Sequence, residues 1–351
     1  MLLIDGSYGE GGGQILRTSL SLAIIFKKPV KIFNIRVNRS KPGLQPQHLA
    51  CVKASAEISK AEVQGAELNS KEIIFIPKDM PSNKTYIFDI KTAGSTGLLF
   101  QTLIYPLAFS EGGTLIIKGG THIPYSPCYH YLKYVFLPVV ENFGLKSHII
   151  MEKAGFYPKG GGKIKAKIFP WKEFYFPNLA SSFVPFRTQI ISLISDKLPS
   201  HILERQAKSA LEILKSKVLE AEIILEKVKT ESPGTMLFIY SIDKDRIKRA
   251  GFTELGRKRY PAEEVGKNAA FQFLNFLDTH TQIEEHLGDQ LLIPISLAIL
   301  NSKKKEFGYT VSKVTRHLLT QAWLIPQFIP EVKIEIKGKE GEKGDVRIEE
   351  R

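Results

Sequence analysis

The 351-residue sequence predicts an α/β (α+β) protein: three βαβαββ repeats forming a large domain, with a small α/β domain inserted into the third. Three observations carry this reading. A glycine-bearing loop set between an apolar run and a helical pattern recurs at a period of about ninety residues. The strand and helix order that follows the loop is the same both times. The stretch from about Pro185 to Thr279 then breaks the order with one of its own.

The first repeat opens with Leu2-Leu3-Ile4 as a strand, and Ile15, Leu16, Leu20, Leu22, Ala23 and Ile24 follow at helical spacing. Between them lies Gly9-Glu10-Gly11-Gly12-Gly13. Without Cβ atoms the amides of this loop can turn inward, and the helix start adds unpaired N–H groups, so the loop suits a phosphate. A tight turn carrying a solvated acid would satisfy the same residues. Glu10 would repel an anion unless a cation sat between them, which points to Mg²⁺. Residues 30–35 alternate as a strand, 38–48 form a basic loop, 48–59 a helix, and short strands follow near Val63 and at 73–76. The second repeat reads as strand 86–90, loop 93–97, helix 98–109, strand 114–118, loop 119–127, helix 129–143, and strands near Ile149 and at 164–168. In the third, Glu284 to Gln290 opens a helix at 291–300, followed by strand 309–311, a helix at 317–328 interrupted at Pro326, and strands 332–336 and 346–348. The second helix of each unit carries a His near its start: His48, His130 and His317.

The insertion reads as β-α-β-β-α, with strands at 189–195, 223–228 and 236–242 and helices at 200–218 and 261–277, long enough for a small core. The expected boundaries are 1–184 for repeats one and two, 185–279 for the insertion and 280–351 for repeat three.

Lys+Arg 49 against Asp+Glu 36 gives +13, which favours a polyanionic partner, nucleic acid before membrane. A lysine-rich thermophile surface would give the same balance. Within the insertion, Lys244, Arg246, Lys248 and Arg249 with Arg257-Lys258-Arg259 read either as an RNA-contacting arm or as a solvated face. Cys51 and Cys128 are too few for a disulfide framework, no basic n-region opens a signal peptide, and the apolar run 291–300 is too short to span a bilayer. A cytoplasmic protein is expected. Absences narrow the chemistry further. There is no Gly-x-x-x-x-Gly-Lys-Ser/Thr, and Lys159-Gly-Gly-Gly-Lys163 lacks both its spacing and its hydroxyl. No His/Cys cluster has zinc spacing, and no Lys-x-Asp-Gly offers a ligase-type lysine. What remains is Glu10 with Arg17, the basic loop with Arg39, Lys41, Gln47 and His48, and Arg316-His317 beyond Asp289. A lone His before an apolar helix is usually structural, but Arg316 and the helix start favour an oxyanion beside His317.

Four ordered motifs then become recognisable: Gly9-Glu-Gly-Gly-Gly-Gln-Ile-Leu-Arg17; Arg39-Ser-Lys-Pro-Gly-Leu44 with Gln47-His48-Leu49; Gly155-Phe-Tyr-Pro-Lys-Gly-Gly-Gly162; and His317-Leu-Leu-Thr320. Together they resemble the RNA 3′-terminal phosphate cyclase family over nearly the whole chain. The resemblance implies a large domain of three repeats like the C-terminal domain of translation initiation factor 3, plus a small inserted domain. It implies ATP-dependent conversion of an RNA 3′-phosphate to a 2′,3′-cyclic phosphate, with ATP and Mg²⁺ or Mn²⁺ as cofactors and RNA bearing a 3′-phosphate as partner. By motif position it implies His317 as the nucleophile that becomes adenylated and Glu10 as the metal ligand. Gln14, Arg17, Arg39, Gln47 and His48 would hold phosphates, and Gln101, Pro127, His286, Leu287, Gly288, Asp289 and Gln290 would form the ATP pocket, Pro127 and His286 sandwiching adenine. No matched motif falls in the insertion, so the first step is expected to survive its removal. Some positions depart from the family pattern: His286 stands where a tyrosine is expected, Gln45-Pro46 where an arginine is frequent, and residues 301–306 replace a shorter link. Two other readings share the fold. A cyclase-like factor for ribosomal RNA processing lacks the nucleophilic histidine, and an enolpyruvyl transferase needs neither His317 nor a basic balance.

Overall fold

Alternation of apolar and polar residues builds the first sheet of the protein, here a computed structural model that describes residues 1–218 and 220–351. β1 (Leu2–Asp5), α1 (Gly13–Ile25), β2 (Val30–Phe33), α2 (Pro46–Ser59), β3 (Glu62–Gln64) and β4 (Ile73–Ile76) follow in turn. Val30, Ile32, Ile73 and Phe75 face inward beneath the helices. The strand order is β1-β2-β4-β3, with β1 and β2 parallel and the rest antiparallel.

The second repeat has the same topology. β5 (Thr85–Asp89), α3 (Thr96–Ala108) and β6 (Gly113–Gly119) lead to a helical segment and then β7 (Ser147–Lys153) and β8 (Gly162–Ile168), in the order β5-β6-β8-β7. The expected single helix over 129–143 is in fact three pieces: α4 (Tyr129–Tyr131), a π-helical turn over Leu132–Phe136 and α5 (Leu137–Glu141). Pro138 is the physical reason. It has no N–H for the Tyr134 carbonyl, the helix widens ahead of it, and Arg249 donates to that carbonyl at 3.5 Å.

The insertion contributes β9 (Pro185–Ser195), α6 (His201–Leu214), β10 (Ala221–Val228), β11 (Thr235–Asp243), β12 (Arg249–Leu255) and α7 (Ala262–Asp278), with strand order β10-β9-β11-β12. Its two central strands are apolar on both faces because both are covered. Ile190, Leu237 and Ile239 pack under α6 and α7, while Ile191, Leu193, Phe238 and Tyr240 join the core of the large domain. β12 was not expected, so the order is β-α-β-β-β-α. The proposed basic arm also changes character. Lys248 is fully buried, ion-paired with Asp243 at 2.6 Å and bonded to Ser181 at 3.1 Å, so it cannot meet RNA.

The third repeat runs through α8 (Glu285–Gln290), α9 (Leu292–Leu300), β13 (Glu306–Val311), α10 (Arg316–Phe328), β14 (Val332–Lys337) and β15 (Gly344–Glu350). Its sheet is β13-β15-β14, and a parallel bridge from Ile283 to Val311 stands where the other repeats have a first strand. Pro326 does not interrupt α10, which ends two residues later; a proline in the last turn removes only a bond at the fraying end. α1 packs against α10, α2 and α3, so the helices of all three repeats meet around it. Among the described residues, no helix is long and apolar enough to cross a membrane.

Candidate active site

The glycine loop can be built only from glycine at several points. Gly9 and Gly11 hold φ of +55° and +59°. A Cβ on Gly12 would lie 2.0 Å from the Glu10 carboxylate, and one on Gly13 would lie 2.5 Å from His48 Nε2 and 2.6 Å from Arg17 Nη1. An acid, an imidazole and a guanidinium therefore crowd one bare stretch of backbone. α10 fastens the loop: Glu10 N–H donates to Thr320 Oγ1 at 3.0 Å. Arg39 fastens it from the other side, donating to the Glu10 carbonyl at 2.9 Å and pairing with carboxylate oxygen Oε1. Oε2 of Glu10 is buried without a hydrogen-bond partner. His48 accepts the Gln45 N–H at Nδ1, 3.3 Å away, which leaves its proton on Nε2, the atom nearest Gly13. Burial, then the charges of Arg17 and Arg36, push its pKa down to about 3. Gln47 is already engaged, its Oε1 accepting from Ser95 N–H at 3.1 Å and tying the first repeat to the second.

His317 enters from the first turn of α10, capped by Thr315, whose Oγ1 accepts from Leu318 N–H at 3.1 Å. Its Nδ1 lies 2.9 Å from Gln14 Oε1, and Gln14 Nε2 donates to Asp289 Oδ2 at 2.7 Å. The carboxylate of Asp289 takes the NH₂ end of the amide, so the carbonyl end faces the imidazole. Nδ1 must then carry the proton, and Nε2 keeps a free lone pair. Burial first, then Arg17, His286 and Arg39, lower the His317 pKa to about 4, so the ring is neutral near pH 7. Burial raises Asp289 to about 7.

The helix that carries Asp289, α8, is capped by the fully buried Glu284. Its carboxylate accepts from His286 N–H at 2.6 Å, Leu287 N–H at 2.8 Å and the Tyr131 hydroxyl at 2.6 Å. A cavity of about 630 Å³ opens beside these groups, bordered by Gln14, Arg17, Gln101, Asp289, Gln290 and His317, with Pro127 and His286 also on its wall. Gln101 Nε2 donates to Gln290 Oε1 at 2.8 Å, joining repeats two and three across it. Leu287 and Gly288, expected in the same pocket, do not line it. Helical phase turns Leu287 into the core, and Gly288 packs against Val311. His130, the positional counterpart of His317, is buried against His122 at 3.0 Å and faces Glu226 of the insertion instead. Arg17 serves both the cavity and the glycine loop, where Glu10, Arg39 and His48 gather.

Sequence reasoning missed the groups that come from the insertion. Gly251, Phe252, Thr253 and Glu254 of β12 and Gln272 of α7 form one wall of the cavity, and Thr253 Oγ1 lies 3.4 Å from Cys128 Sγ. The insertion therefore borders the pocket, although no matched motif falls within it. Tyr131 and Glu284 were also missed; glutamate is not among the usual N-cap residues, so nothing local marked Glu284 as the cap of α8. Among the described residues, no group of three or more His, Cys, Asp and Glu could hold a metal ion, so an ion at Glu10 would take its other ligands from phosphate oxygens and water.

With this geometry in hand, comparison with known proteins adds the following. The family model described as RNA 3′-terminal phosphate cyclase matches residues 8–336. The chain is 40% identical to an RNA 3′-terminal phosphate cyclase of Pyrococcus furiosus, over 99% of this chain and 98% of the relative. It is 41% identical to one from Thermococcus kodakarensis (98% and 97% covered) and 39% identical to one from Gloeothece citriformis (93% of each).

Proposed function

The chain belongs to the RNA 3′-terminal phosphate cyclase family and is an enzyme of it, and from that premise we propose that it converts an RNA 3′-phosphate to a 2′,3′-cyclic phosphodiester at the expense of ATP. The observation that carries the proposal is the His317–Gln14–Asp289 relay, which leaves Nε2 unprotonated toward the cavity. Nε2 attacks the α-phosphorus of ATP; the bond to the bridging oxygen breaks and pyrophosphate leaves. The RNA 3′-phosphate then takes the AMP from His317, restoring the neutral imidazole. The neighbouring 2′-OH attacks the activated phosphorus, gives up its proton and expels AMP. Arg17, Arg39 and the Nε2–H of His48 supply the positive charge and donors that two polyanions in contact require. The orphaned Glu10 oxygen fits a Mg²⁺ or Mn²⁺ ion, which would screen phosphate charge when bound.

Incubation with α-labelled ATP should label the protein, and a chase with 3′-phosphorylated RNA should release the label as a cyclic end forms. His317→Ala should lose labelling entirely while staying folded, because no water can replace a covalent enzyme intermediate. The same variant should still cyclise RNA that already carries the 3′-adenylate. Label mapped to His48 or to a lysine would overturn the assignment. A wild-type protein that never labels would favour the cyclase-like factor, and turnover of phosphoenolpyruvate would favour the transferase.

A further inference from the structure

Tyr8 stands at the entrance of the glycine loop and is 44% exposed. Its ring lies almost parallel on the indole of Trp323, with centroids 3.9 Å apart and planes at 17°. One face of the tyrosine is thus occupied, while the residue as a whole stays open to solvent. Trp323 follows Thr320 by one turn on the same strip of α10, and Thr320 holds the Glu10 amide. The stack and the phosphate loop are therefore mounted on one helix. From His317 to Trp323 the axial rise is about 9 Å, within the span of a nucleotide whose phosphate lies at the loop.

Anchoring the loop does not need this stack, because Thr320 and Arg39 already hold Glu10 from both sides. We infer that the Tyr8–Trp323 stack is a platform on which the nucleobase at the 3′ end of the RNA lies, an inference that rests on the function proposed above. Arg39, 41% exposed at its side chain, is close enough through Glu10 to hold a phosphate while the base extends the aromatic column. Stacking is indifferent to which base is present, which suits an enzyme that reads an end rather than a sequence.

The test measures binding and turnover on the same samples. A 5′-fluorescent oligoribonucleotide 3′-phosphate is titrated by anisotropy, without ATP, against the wild type, Tyr8→Phe, Tyr8→Leu and Tyr8→Ala. A companion RNA whose last nucleoside lacks its base is titrated in parallel. Tyr8→Leu and Tyr8→Ala should raise the Kd for complete RNA about tenfold, with Tyr8→Phe within about twofold of the wild type. The base-less RNA should bind the wild type as weakly as complete RNA binds Tyr8→Ala, and lose nothing further on that variant. Leucine keeps apolar packing on Trp323 without a π face, so its failure places the effect in the ring. The other tryptophan, Trp171, is buried. In a Trp171→Phe background, the remaining indole emission should therefore be quenched as RNA binds. Wild-type affinity in Tyr8→Leu, or equal affinity for the base-less and complete RNA, overturns the platform. Cyclisation of the same RNA by the wild type judges the proposed reaction separately, since the binding result stands whichever way cyclisation goes.

Discussion

Gln14 stands between a carboxylate and an imidazole, and its amide satisfies both in one orientation. Two titrations should follow. His317 is held down to about 4, so its nucleophilic neutral form persists well below pH 7 and labelling from this cause is lost only as pH falls through about 4. Asp289 is raised to about 7, so it grips the Gln14 NH₂ group as a carboxylate above that pH and loosens below it. The rate of AMP labelling should therefore show an upper inflection near 7 and a lower one near 4, and Asp289→Asn should lose the upper one. The stability sign runs the other way. An acid whose folded pKa is raised contributes stability that is present at low pH and lost as pH rises through about 7. Asp289→Asn should then raise the melting temperature more at pH 8 than at pH 5; an equal shift at both would mean that Asp289 does not titrate in this window. Much of this centre was legible because glycine clusters and a His at a helix start are local signals. The relay was not: Gln14 read as a phosphate ligand, and only the fold reveals that both ends of its amide are engaged.

At the scale of elements, helical phase corrected what motif position suggested. The segment from His286 to Gln290 is contiguous in sequence, yet only His286, Asp289 and Gln290 turn toward the cavity. β12 was invisible because Arg249–Leu255 contains Gly251 and Thr253 and has no clean apolar alternation. Its place in the cavity wall changes the outcome to expect when the insertion is removed. A chain in which 185–279 is replaced by a Gly/Ser linker should label poorly, since it loses a cavity wall and bares the apolar residues that β9 and β11 cover. A subtler variant separates the two effects. Thr253→Phe fills the cavity from the insertion's side and should raise the KM for ATP about tenfold at little cost in melting temperature. An unchanged KM would mean that the nucleotide does not reach β12.

Across the whole molecule, the charge of +13 is not neutralised by pairing. Lys163 on β8 is bonded to Glu152 at 2.6 Å, but among the described residues Lys165 and Lys167 on the same exposed face have no acidic partner within 4 Å. RNA affinity should fall steeply with salt. With roughly four phosphate contacts, log Kd should rise with log salt at a slope of about 3, or about fiftyfold between 50 and 200 mM. A slope near zero would leave the charge as a surface property without a binding role. The repeat architecture was legible because each unit carries its own hydrophobic periodicity. The meeting of the three units was not, because Gln14 reaches partners 275 and 303 residues away. The bond from Glu10 to Thr320 is longer still, spanning 310 residues. Contacts of such separation form late, after the local units have folded. A ribosome therefore delivers the glycine loop and the insertion's wall well before α10, whose Thr320 fastens that loop and whose His317 borders the cavity. A nascent chain stalled in that interval lacks both the fastening and the attacking group, so by the proposed chemistry it cannot turn over ATP while its last repeat is still being made.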